Sequence, residues 1–136
     1  MSVVNVLNTA VYGVLSANTT LTSLLGGTAI FYQQAPDNTA LPYVVFSHQA
    51  GQPDNTHGRD MRNQIVYVRC YSGTVAQAGS IDSICGTTLH RRSLSVTGYT
   101  NFWTAREQEF SIVENEPNGE KTYMAGAYYR VRLTPT

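Results

Sequence analysis

The sequence predicts an α+β fold, a two-layer sandwich with an N-terminal helix and a central helix packed on one face of a mostly antiparallel sheet, in the order α-β-β-β-α-β-β-β. Three observations carry this expectation. A helical apolar stripe opens the chain, strict two-residue alternation runs from Gln64 to Tyr71, and a turn signal, Asn115-Glu116-Pro117-Asn118-Gly119, separates two long apolar-polar runs. With 136 residues, no internal repeat and no linker, the chain is the size of one domain, read as 1–136.

Val4, Leu7, Val11 and Val14 form one stripe, widened by Val3, Val6 and Ala10, and predict a helix over 3–16 with Ser2 placed as its N-cap. Asn5, Asn8, Thr9 and Tyr12 face away from the stripe. A second turn, Thr20 to Leu25, stops at Gly26-Gly27. Ile30 to Gln33 is a short strand, and 41–48 is a strand with apolar residues on both parities, hence buried on both faces. Pro42 suits its first position, where no ladder hydrogen bond is lost. Residues 49–61 are polar and rich in breakers and predict a long mobile loop.

Alternation next sorts Val66, Val68 and Cys70 onto a core face and Ile65, Tyr67, Arg69 and Tyr71 onto the other. Ser72-Gly73-Thr74 opens a helix whose Ala78, Ile81, Ile84, Cys85, Thr88 and Leu89 share one side and pack across the sheet. Ser93 to Val96 reads as a short strand, and 103–113 with 123–133 as the closing hairpin. There Tyr129, Val131 and Leu133 point one way, Tyr128, Arg130 and Arg132 the other.

Composition narrows the function. Charged residues make up 13% of the chain, about half the usual quarter, while Ser, Thr, Asn and Gln supply 42 positions, so the surface is largely neutral. Nine basic residues balance nine acidic ones, which argues against electrostatic nucleic-acid binding and removes the repulsion that keeps monomers apart. No basic stretch followed by a continuous apolar run opens the chain, and no segment approaches the ~18 apolar residues that span a bilayer. A reduced, intracellular setting with no membrane is therefore expected for Cys70 and Cys85.

The residue types for metal or acid-base chemistry are His48, His57, His90, Asp54 and Asp60. Their spacing matches no ligand motif, and His57-Gly58-Arg59-Asp60 lies in the predicted loop, where a metal needs rigid support. His90 precedes Arg91-Arg92 at a helix end, where cationic side chains favour the dipole. Both cysteines fall on apolar faces and read as structural thiols; a disulfide between them depends on how closely strand and helix approach. Gly26-Gly27 lacks the Lys and Ser or Thr of a phosphate loop. Nine tyrosines, with Tyr128 beside Arg130 and Arg132, suit packing against a neighbouring subunit.

The run 30–46, Ile-Phe-Tyr-Gln-Gln-Ala-Pro-Asp-Asn-Thr-Ala-Leu-Pro-Tyr-Val-Val-Phe, behind a helix ending Leu24-Leu25-Gly26-Gly27, resembles the tail-completion or tail-terminator (tail-to-head joining) proteins of long-tailed bacteriophages. The likeness continues through Ile65 to Ser72 and the closing Tyr128-Tyr129-Arg130-Val131-Arg132, so it covers nearly the whole chain in order. The family often has a tryptophan near Tyr71, which this chain lacks.

The resemblance implies a structural virion protein, not an enzyme, that forms a hexameric ring on the end of the tail tube, ends its polymerisation and joins tail to head. It implies no cofactor and no catalytic or metal residues. The implied partners are other copies of the chain, the tail tube protein and a head-completion or connector protein, with DNA only as passing cargo. The protein would be assembled in the host cytoplasm and reside at the head-tail junction of the virion. The predicted contacts are His57, Arg59, Asp60 and Arg62 on and after the loop, and Tyr128, Arg130 and Arg132 on the last strand. Two alternatives are a head-side neck protein of the same joint and, in another class, a small metal-dependent hydrolase using His48, His57 and Asp60.

Overall fold

Val6, Leu7, Val11 and Leu15 are buried along one side of the first helix, α1 (Val3–Ala17), so the expected stripe holds at Leu7 and Val11 but turns through Val6 and Leu15 in place of Val4 and Val14, which are partly buried. The computed structural model describes residues 3–36, 39–53, 61–115, 119 and 121–136; Ser2, the expected N-cap, lies outside them. Asn18 follows at once as the N-cap of α2 (Thr19–Leu25): its Oδ1 accepts from the Leu21 N–H, and its Nδ2 donates to Thr88 Oγ1 on a later helix. Gly26, at φ 75°, ends α2 in the left-handed conformation. The Gly27 N–H then reaches the Thr22 carbonyl and closes a Schellman motif.

Five strands follow around one more helix: β1 (Ile30–Tyr32), β2 (Tyr43–Pro53), β3 (Arg62–Ser72), α3 (Val75–Leu89), β4 (Tyr99–Asn115) and β5 (Lys121–Pro135). They form one sheet in the order β1-β2-β3-β5-β4, antiparallel except for the β1 and β2 pair. The Leu41-Pro42 peptide that leads into β2 is cis. The three helices lie on one face, so the predicted α+β sandwich is the observed one.

The core follows from the alternation. Val44 and Phe46, then Val66, Val68 and Cys70, then Ala127, Tyr129, Val131 and Leu133 turn toward Ile81, Cys85 and Leu89 of α3 and the apolar side of α1. Cys70 and Cys85 meet there as free thiols with their sulfurs 3.8 Å apart. The hydrogen bond between them, with burial, pushes the Cys70 thiol well above its ordinary value, so it stays protonated and inert.

Two expected boundaries are corrected. Ser93 to Val96 is not a strand: Leu94 and Val96 turn into the core, but the main chain has no neighbouring strand, and the Leu94 N–H is satisfied by Asn101 Oδ1 instead. The alternation there reports burial alone. Conversely, Gln49 to Pro53, expected in a loop, continue β2 across a bulge after His48, with Ala50 opposite Ile65 and Gln52 opposite Asn63. Backbone ladder bonds hold this polar stretch, which no hydrophobic pattern announces. Residues 54–60 of the expected loop lie outside the described residues.

Candidate functional site

The strand face away from the helices is built from the other parity of the same strands, and it is aromatic. Tyr43 stacks on Tyr71 with ring centroids 5.1 Å apart, and Phe31 meets Tyr43 edge-on. Tyr67, Phe110 and Tyr128 form a second group at 4.7 to 5.6 Å. Beneath these rings Val45, Tyr71 and Met124 are buried, a small second core with no helix over it. Arg69 lies over the Tyr67 ring and donates to the carbonyl of Gln33.

Of the sequence-predicted contacts, Tyr128, Arg130 and Arg132 do share this face, on alternate positions of β5. Tyr128 is held in the ring cluster, Arg130 is paired with Glu107 at 2.9 Å and donates to Asn63 Oδ1, and Arg132 lies over the Phe102 ring. Gln49, Ile65 and Gln108 complete with Tyr128 and Arg130 a shallow hollow of about 390 Å³. Arg62 has the opposite parity, opposite Leu133, and so belongs to the helix-side face at the same end of the sheet. His57, Arg59 and Asp60 lie outside the described residues, as does Asp54.

The histidines within view have local partners. His48 Nε2 is hydrogen-bonded to Gln64 Oε1, and Gln64 is itself buried over Gly51. His90 Nδ1 accepts the Arg106 N–H at 3.0 Å, which ties the end of α3 to β4. Among the described residues, no three His, Cys, Asp or Glu side chains come together as a metal cluster, and no helix is long and apolar enough to cross a membrane.

The group that sequence reasoning missed is centred on Arg106. From the helix-side face of β4 its guanidinium forks onto the Asp82 carboxylate of α3, donates through Nε to Glu109 at 2.9 Å, and donates through Nη1 to the Tyr129 hydroxyl at 2.7 Å. Burial opposes the charge, but the hydrogen bonds to Asp82 and Glu109 outweigh it and hold the Arg106 pKa above its ordinary value. A sequence signal existed: Asp82 is the one acid between Asp60 and Glu107, set in an otherwise uncharged helix.

Burial also raises Tyr129, against the opposing Arg106 charge, and raises Tyr67 and Tyr71. These hydroxyls hold their protons more tightly folded than unfolded, so their contribution to stability is complete below the ordinary tyrosine value of 10.0 and is lost as pH rises through the folded pKa. Urea midpoints are expected to stay level between about pH 7 and 9 and fall above about pH 10, with a shallower fall in Tyr129→Phe. Midpoints that keep rising into that alkaline range would contradict this.

The two sheet edges are unequal. β1 is three residues long, whereas β4 has seventeen and carries the exposed apolar residues Phe102, Trp103, Ile112 and Val113. Fold and surface together define an α+β sandwich with a long edge strand that carries exposed apolar side chains. The profile of the tail completion protein gp17 family matches residues 9–133, and the chain belongs to that family. No curated protein sequence matches the chain. Among solved structures it is similar in fold to a chain in the virion of a native gene transfer agent particle, at TM-score 0.84 and 16% identity over 98% of each chain. It is also similar to the bacteriophage SPP1 gp17 protein, at TM-score 0.59 and 20% identity over 97% of this chain and 90% of that one.

Proposed function

We propose that the chain is a single tail-terminator-like domain, residues 1–136, that acts without catalysis as a structural part of a phage virion. It caps the tail tube as a ring, six-fold as in the resemblance given above, ends tube growth and joins tail to head. Its partners are other copies of itself, the tail tube protein and a head-side connector protein. The observation that carries this reading is the edge strand β4, which has no partner strand on its outer side and whose exposed Phe102, Trp103, Ile112 and Val113 suit burial between subunits. Family membership supports it, and so does the fold shared with a chain of the gene transfer agent virion. Tyr128, Arg130 and Arg132 on the open face, Arg62 on the helix-side face at the same end of the sheet, and His57, Arg59 and Asp60 in the segment before it are proposed as polar contacts of the assembled ring.

Light scattering of the purified protein, with and without tail tubes, tests this. A ring of about six subunits, alone or on tube ends, is the expected result. A monomer at every concentration that also ignores tubes would overturn it.

A further inference from the structure

Charge is distributed unevenly along the long hairpin. At the start of β4, Arg91 and Arg92 flank a hollow of about 320 Å³ that also contains Ser93, Asn101, Phe102 and Trp103, and Arg132 adds its charge over Phe102. Arg91 and Arg92 are exposed, and neither has a side-chain hydrogen bond or ion pair among the described residues. At the far end of the same strand, Ile112 and Val113 are about half exposed, at 47% and 50%, and Glu114 is exposed with no ion pair among the described residues. Glu114 and Asn115 pair only with β5, since the last β3 partner is Ser72, opposite Tyr123. The hairpin therefore ends as a two-stranded arm. Lys121 is on it too, opposite Asn115.

We propose that this end of the hairpin of one copy, through Ile112, Val113 and Glu114, docks into the basic hollow of the next, with the apolar pair against Phe102 and Trp103 and Glu114 against Arg91 and Arg92. Two arguments select a second copy as the occupant. First, the surfaces complement each other in both respects: apolar meets aromatic, and an unpaired acid meets unpaired arginines. Second, they cannot meet within one chain, because β5 pairs with β4 along its length and holds the two ends roughly 30 Å apart. The two surfaces differ, so the contact is head-to-tail, and a head-to-tail contact that closes on itself is a ring. This inference rests on the ring reading above and adds its interface.

The test is disulfide trapping in the assembled protein. In the double variant Arg92→Cys with Glu114→Cys, mild oxidation with diamide is expected to give a covalent ladder on denaturing gels up to the full ring; Cys70 and Cys85 are buried and do not contribute. Each single variant should give no ladder. Charge reversal supplies the second arm of the test: Arg91→Glu with Arg92→Glu is expected to lower the assembled fraction about tenfold, as is Glu114→Arg, and all three together should recover most of it. A ring of normal mass in which the double cysteine variant stays monomeric on the gel overturns the docking assignment and leaves the ring reading standing. Failure of the unaltered protein to form a ring, alone or on tail tubes, overturns both.

Discussion

Arg106→Leu is expected to destabilise the protein by about 3 kcal/mol, measured by urea unfolding. The substitution leaves the Asp82 carboxylate without the fork that neutralises it and the Tyr129 hydroxyl without its donor, in one step. Breaking a buried pair by removing one partner costs roughly 3–5 kcal/mol. The lower end applies because both side chains keep some contact with water, at 14% and 13% exposure. Asp82→Asn should cost less, since an amide still accepts from the guanidinium and Glu109 remains as a counter-charge. The Glu109 contribution is small, about 0.5 kcal/mol, because that carboxylate is 68% exposed. An Arg106→Leu midpoint equal to that of the parent would show that α3 is held on the sheet by apolar packing alone.

Gly126→Ala is expected to cost at least about 2–3 kcal/mol, a large amount for one added methyl. A Cβ at this position would stand 2.3 Å from the Val68 carbonyl oxygen of β3 and 3.0 Å from the Phe110 ring. The first obstacle is backbone, so it can yield only if β5 moves away from β3 and weakens the ladder. Gly126 and Phe110 are cross-strand partners, and the ring covers the place where the side chain is missing. Gly79→Ala on α3 is the control of opposite sign: nothing lies within 4 Å of its would-be Cβ. Helix propensity alone predicts a gain of about 0.5–1 kcal/mol there. Equal urea midpoints for the two variants would sink the steric argument.

The parts of this fold that could be read from sequence are those where one face is buried and the other is not. β3 showed its two faces residue by residue because Val66, Val68 and Cys70 alternate with Tyr67, Arg69 and Tyr71, and α1 showed itself as a helix through its apolar stripe. The misread parts separate burial from pairing. Leu94 and Val96 are buried without a ladder, and Gln49 to Pro53 are paired without burial of an apolar face, so pattern gave a strand in the first place and a loop in the second. Tyr128, Arg130 and Arg132 were legible as a shared face, because period two places them together wherever the strand lies. Arg62, expected with the loop, opens β3 on the helix-side face, a placement that only the pairing with Leu133 reveals. Of the Arg106 group only the lone acid Asp82 gave a signal: Asp82, Glu109 and Tyr129 reach Arg106 from one helix and two strands, and periodicity does not announce their convergence.

The sheet cannot be built in the order in which it is synthesised. β5 is the last strand in sequence but the fourth of five in space, wedged between β3 and β4. Until Lys121 to Pro135 have emerged, β3 lacks its second neighbour, and β4, the longest strand, has none. Tyr129, Val131 and Leu133 also arrive with β5 and complete the layer under α3. A nascent chain on the ribosome thus carries unpaired strands and an unfinished core until β5 arrives to join β3 to β4.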